Sequence, residues 1–267
     1  MIHNIKLFFA FVKVSMLTQM EYRGIYAVRT LGKLCTFGSA FVVLSIMLLR
    51  FESIGTWSVY EVLFLYAMNT LTYALAATFS MQIHDIGPQI RSGEFDALLV
   101  RPVNTLYLAL CRKASAGYTA NYALGIGIMI FAAVRMGLRP SFAGIVLLLL
   151  SIVGGTLIHA AALITSGTIG FWTIKSNAFA RIFYHEAQMF ANYPINIFPA
   201  AIQIILTFVL PYAFISFYPS GLFLGRTGET IFHPAVYYLS LIVGVVCFVL
   251  AYLFWKKGIN AYQSTGS

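Results

Sequence analysis

The run Ile90-Arg91-Ser92-Gly93-Glu94-Phe95-Asp96-Ala97-Leu98-Leu99-Val100-Arg101-Pro102 is a short charged island in a largely apolar chain. It sets Arg91, Glu94, Asp96 and Arg101 around two apolar anchors, Phe95 and the pair Leu98–Leu99. That pattern predicts a short amphipathic helix of about two turns. Gly93 ends any helix before it, and Pro102 closes this one, because proline has no amide with which to continue a helix. Lying between membrane crossings, such an element is a handle offered to something in the water.

The crossings follow from composition. Hydrophobic residues make up 60% of the 267 positions and charged residues 9%, more apolar surface than a soluble domain of this length can hide. The mean hydropathy of +0.84 agrees, and apolar runs of about 20 residues are the length a bilayer demands. The formal charge of +9 invites a nucleic-acid reading. Lysine and arginine are scattered, however, with nothing denser than Arg112-Lys113 and Lys256-Lys257, so membrane topology accounts for them better and no nucleic-acid partner is expected. Cys35, Cys111 and Cys247 have neither paired nor metal-binding spacing. No small-residue cleavage site follows the apolar start, so a cleaved signal peptide is not expected either.

Taken in order, residues 4–20 set Ile5, Phe8, Phe9, Val12, Met16 and Met20 at helical spacing, with Lys6 and Lys13 off the stripe. This fits a helix lying in the membrane interface, within an N-terminal segment 1–33, or else a plain cytoplasmic lead-in. Six crossings are then expected, at about 34–49, 60–81, 114–134, 142–165, within 195–224, and 236–255. A cytoplasmic segment, 82–113, separates the second from the third. Residues 176–192 repeat the amphipathic theme between the fourth and fifth. Pro199, Pro211 and Pro219 break the fifth run, and Tyr218-Pro219-Ser220-Gly221 reads as a turn. The run is either a helix followed by a re-entrant piece near the outer surface, or one long kinked span with an ordinary loop. Six crossings put both termini on one side. Thirteen lysines and arginines fall on that side and four on the other (Arg50, Arg135, Arg139, Arg226), which places both ends and the central stretch in the cytoplasm. The fold class is an all-α membrane protein, a single transmembrane domain over 1–267.

Chemistry is sparse. There is no phosphate-cradling loop, so the chain does not hydrolyse ATP by that route. His185-Glu186 resembles the start of a zinc-protease motif, but Met189 stands where the second histidine belongs, so no metal site is expected. His159 lies in the fourth crossing and reads as a histidine donating to a neighbouring helix rather than as a proton relay. Glu61 is the only acid close to a crossing, which weighs against the runner-up reading, an ion-coupled secondary transporter or channel subunit. Asn69, Thr72, Tyr73, Gln203 and Thr207 are polar groups within the second and fifth segments. They are candidates to line a translocation pathway, or else ordinary interhelical hydrogen-bonders.

From Gly93 through Leu98, Leu99, Pro102 and Val103, the central stretch resembles the membrane subunits of type 2 ABC exporters. It departs from their pattern at Glu94-Phe95. Together with the later Phe208–Pro219 stretch it is similar to a poorly characterised six-span subgroup of bacterial permeases. The resemblance implies an inner-membrane half-transporter that exports a hydrophobic or amphiphilic substrate. It further implies an ABC ATPase subunit, in two copies, and a second permease, identical or homologous. This chain would bind no cofactor, with ATP and Mg on the partner. The ATPase-coupling residues would be Arg91, Gly93, Glu94, Phe95, Asp96, Leu98, Leu99, Arg101 and Pro102. The competing reading is that the loop folds back on its own bundle.

Overall fold

The computed structural model describes residues 14, 17, 21, 23–51, 53–112, 115–173 and 178–262, so most of the expected interfacial helix lies outside the described residues. The first long helix, α1, runs unbroken from Arg23 to Phe51, through Lys33 and the expected first crossing. A small hairpin comes next, β1 (Ser53–Ile54) with β2 (Trp57–Ser58), in register Ser53↔Ser58 and Ile54↔Trp57. Gly55 supplies the positive φ of 61° that this tight reversal needs. Then come α2 (Val59–His84) and three short pieces, α3 (Gly87–Arg91), α4 (Asp96–Leu99) and α5 (Thr105–Arg112). The rest comprises α6 (Thr119–Arg135), α7 (Phe142–Thr168), α8 (Ala178–Met189), α9 (Ala200–Ile204), α10 (Phe217–Phe223) and α11 (Ser240–Ala261), with short 3₁₀ turns between.

Among the described residues, α2 with α3, α7 and α11 are long and apolar enough to cross a membrane, and a fourth crossing is available from a bent pair. That pair is Ala200–Val209 with Tyr212–Phe223, bent by 77° at Leu210–Pro211. The turn before the break widens to a π turn over Ile205–Val209, and Pro211 has no amide to restore the helical ladder. Helix α6 is apolar but only 17 residues long.

The packing centres on α2, which is apolar all round and buried on nearly every side, as such helices are. Close approach is made possible by glycines. Gly155 and Gly167 of α7 lie against Thr72 and Ile83 of α2, and Gly125 of α6 lies under Leu71. Along the α7–α11 seam, Gly154 meets Ser240 and Gly244, while Gly258 meets Thr168 and Phe171. Since low numbers meet low numbers, α2, α7 and α11 run parallel. Helix α6 runs against them, with Tyr60 near Phe131 at one end and Tyr122 bonded to the Ala74 carbonyl nearer the other. Helix α1 is tied by Tyr66 Oη donating to the Phe37 carbonyl and by the Lys33 ammonium over the Tyr118 ring.

These directions sort the charges into two ends. Lys33, Arg91, Arg101, Arg112, Lys256 and Lys257 belong to one, with the α3–α5 segment; Arg50, Arg135, Arg139 and Arg226 belong to the other, with the hairpin. Three local expectations need correction. Pro219 lies in the first turn of α10 rather than in a loop, because the first amides of a helix have no intrahelical acceptor to lose. Helix α11 does not stop at Lys256-Lys257 but continues to Ala261, because Gly258 is seated on Phe171 and Thr168. Residues 178–192, within the stretch 176–192 expected as a connection at one end, extend towards the other together with the start of the fifth run. Tyr184 lies beside His84, Asn192 bonds Asn69, and Asn196 reaches Glu229 and the hairpin.

Candidate functional site

The segment between α2 and α6 folds as a compact knot. Helix α3 ends at Arg91, and Gly93, at φ 72°, takes the left-handed position just past the helix end, with its amide on the Ile90 carbonyl. The expected two-turn helix is in fact the single turn α4. Arg101 precedes a proline, which pushes its backbone away from helical geometry.

Phe95 is fully buried, its ring 5.0 Å from Phe171, 5.2 Å from Tyr262 and 6.1 Å from Trp255. Leu98 is buried in the same core with Ile83, Ile86, Ile90 and Leu106. Asp96 Oδ1 accepts from Tyr262 Oη at 2.9 Å, and Glu94 pairs with Arg112 at 3.2 Å. The expectation that Phe95 and Leu98 reach outward to a partner is therefore corrected: the ends of α7 and α11 converge beneath the loop and take up both side chains. What is left exposed is Leu99, Val100 (83% exposed), Arg101 and Pro102, with Arg91 and Ser92 alongside. Val100 is the member that sequence reasoning missed. Its signal was an apolar residue directly before Arg-Pro, where no helix could turn it inward.

The five pathway candidates are all buried inside the chain. One of them, Asn69, joins a polar chain across α2, α7, α8 and the turn that follows α8. Tyr184 Oη donates to His159 Nδ1 at 3.3 Å, His159 Nε2 donates to Asn69 Oδ1 at 3.0 Å, and Asn69 Nδ2 donates to Asn192 Oδ1 at 2.7 Å. A second, Tyr73, packs edge-on against His159 at 5.7 Å. Thr72 bonds back to the carbonyls of Met68 and Asn69. Gln203 donates to the Phe198 carbonyl, and Thr207 shares a 2.9 Å hydrogen bond with Tyr218. His159 thus bonds across helices, as expected. None of the five lines a crevice of about 590 Å³ walled by α7, α8, α11 and the Leu210–Tyr212 break.

At the hairpin end Arg226 bridges two carboxylates, Nε to Glu61 Oε1 at 2.5 Å and Nη1 to Glu229 Oε1 at 2.8 Å. Glu229 Oε2 also accepts from Trp57 Nε1, Thr56 and Asn196. Burial alone would lower the Arg226 guanidinium pKa, but the two carboxylates outweigh it and hold it above the ordinary arginine value. Among the described residues no cluster of histidine, cysteine and acid suits a metal ion.

No curated protein and no solved structure matches this chain. The family model for the ABC-2 family transporter protein matches residues 34–266, from within α1 to the last residue but one. The match takes in every helix from α2 to α11, the buried loop and the broken fifth run. This chain belongs to the ABC-2 transporter family, as a membrane-embedded ABC transporter permease subunit.

Proposed function

We propose that this chain is one permease half of an exporter for a hydrophobic or amphiphilic substrate, driven by ATP hydrolysed on a separate ABC ATPase subunit that docks on the exposed tip Leu99–Pro102. One observation carries the reading. Val100, 83% exposed, and the partly exposed Leu99 stand at the surface of a loop fixed from beneath by Phe95, Leu98 and the Glu94–Arg112 pair. An exposed apolar tip on a rigid base suits insertion into a partner's groove. Arg101, which makes no ion pair among the described residues, is placed for the rim of that groove.

In this reading both termini and the tip are cytoplasmic, in a bacterial inner membrane, in keeping with the sorting of basic residues between the two ends. Residues 178–197 form the fifth of six crossings, and the bent Ala200–Phe223 pair dips in from the outer side and returns. Two permeases pair, and the pathway runs between them along the outward face of α8, where Glu186 and Met189 are exposed. The buried polar chain at His159 then holds the wall of the pathway rather than lining it.

The test is co-purification of an ATPase with tagged chain after gentle detergent extraction, with ATP-driven transport then measured in proteoliposomes. Retention by the wild type and loss with Val100→Glu is the expected result. Transport driven by an ion gradient without any ATPase would instead establish the ion-coupled alternative.

A further inference from the structure

We infer that the crevice between α7, α8, α11 and the Pro211 break is a lateral lipid site. It would take one acyl chain of an anionic phospholipid, with the headgroup at Lys257. The inference rests on reading α7 and α11 as membrane crossings.

The crevice has the size of a small-ligand site, about 590 Å³, and its lining is almost wholly apolar. Ala162, Thr165, Leu250 and Cys247 form its walls, and Tyr212 lies in the break that closes one side. Among the lining residues Leu250 is 60% exposed. So large an apolar side chain left open at the mouth suits a cleft that opens sideways to hydrocarbon rather than to water. One end of the cleft carries the features of an interface. Thr173 and Phe254 line it, and the half-exposed Trp172 stacks on Phe254 at 5.4 Å. Aromatic side chains of this kind collect at headgroup level. Lys257 lies three residues beyond Phe254 on α11, hence on nearly the same face one turn further out, and it is exposed. A tail in the crevice with its phosphate at Lys257 matches apolar wall, aromatic collar and positive charge in sequence along one axis. A transported amphiphile is an alternative occupant, and the test separates the two.

The probe is phosphatidylglycerol carrying a diazirine in its acyl chain, reconstituted at low fraction into phosphatidylcholine vesicles with the intact transporter. Cross-links are mapped by mass spectrometry, with diazirine phosphatidylcholine as comparison. Cross-links concentrated on the crevice walls at Ala162, Thr165 and Cys247 are expected, and they should be lost when Ala162→Phe fills the space. Lys257→Glu leaves the walls intact, so it remains informative if the phenylalanine variant misfolds. It should cut the preference for phosphatidylglycerol about five-fold or more. Cross-links spread evenly over the exposed faces of α7 and α11, the same in wild type and Ala162→Phe, would overturn the site. So would equal labelling by both lipids, or displacement of the lipid by a transported amphiphile during ATP turnover. Retention of the ATPase is read on the same samples, so failure of the permease reading shows separately from failure of the lipid site.

Discussion

The rings of Phe95 and Phe171 lie 5.0 Å apart, joining the loop after α2 to the end of α7. Trp255 and Tyr262 complete the enclosure from α11 and its end. The loop and the ends of α7 and α11 are therefore held together by packed aromatic rings rather than by a flexible tether. Phe95→Ala is expected to loosen the fold itself. Truncating a fully buried phenylalanine costs about 3–5 kcal/mol in well-packed cores. The measurement is the thermal midpoint of the detergent-solubilised chain. An unchanged midpoint with ATPase binding abolished would return Phe95 to the role of an external anchor.

Docking should fail without loss of fold when the exposed tip is altered. Val100→Glu places charge on a side chain that is 83% exposed, so the thermal midpoint should stay near wild type; Leu99, 37% exposed, is more covered by its own chain, and Leu99→Glu should lower the midpoint more than Val100→Glu does. If either side chain fills a groove on the ATPase, its loss costs about 2 kcal/mol, roughly thirty-fold in affinity. Full ATPase retention with both substitutions together would sink the docking assignment.

The all-α membrane class and the long apolar helices α2, α7 and α11 were legible because they depend on composition and on long-range periodicity. The charged island was legible as a special element, but its orientation was not. Phe95 reads as an outward anchor until the chain is known to bring Phe171, Trp255 and Tyr262 beneath it, and these come from distant positions. The stretch 176–192 misled for the opposite reason. His185, Glu186, Gln188 and Asn192 look like a water-exposed connection, yet Asn192 finds Asn69 and Tyr184 finds His159 across the bundle. Local polarity cannot show that its partners lie on other helices. The same holds for Glu61, whose cation is 165 positions away.

That cation, Arg226, is expected to hold the hairpin end together. The pair is mostly shielded, so Arg226→Ala should cost about 1–3 kcal/mol, between the value of exposed pairs and that of fully buried ones. A double-mutant cycle with Glu61→Gln should show clear coupling. The guanidinium pKa is raised in the folded chain, so its contribution is present below the ordinary arginine value and lost only above the raised one. A stability loss attributable to Arg226 between pH 8 and pH 10 would contradict this arrangement, as would additive single mutants.

The seam between α7 and α11 offers the sharpest contrast between two kinds of glycine. A Cβ on Gly244 would collide with the Gly154 backbone, and one on Gly154 with the Ser240 carbonyl, and backbone on both sides cannot yield without parting the helices. Gly127, in the body of α6, has nothing within 4 Å of where its Cβ would stand. Both Gly127 and Gly244 are helical, so alanine relieves backbone entropy at each, by roughly 0.5–1 kcal/mol. At Gly127 that gain stands alone, and Gly127→Ala should leave the thermal midpoint unchanged or raised. At Gly244 overpacking of about 1–3 kcal/mol opposes it and wins. Gly244→Ala should therefore lower the midpoint, and Gly244→Val should lower it further. The reverse ordering, with Gly127→Ala the more harmful, would mean that the exposed face of α6 is covered in the assembled transporter and that the α7–α11 seam is looser than its glycines indicate.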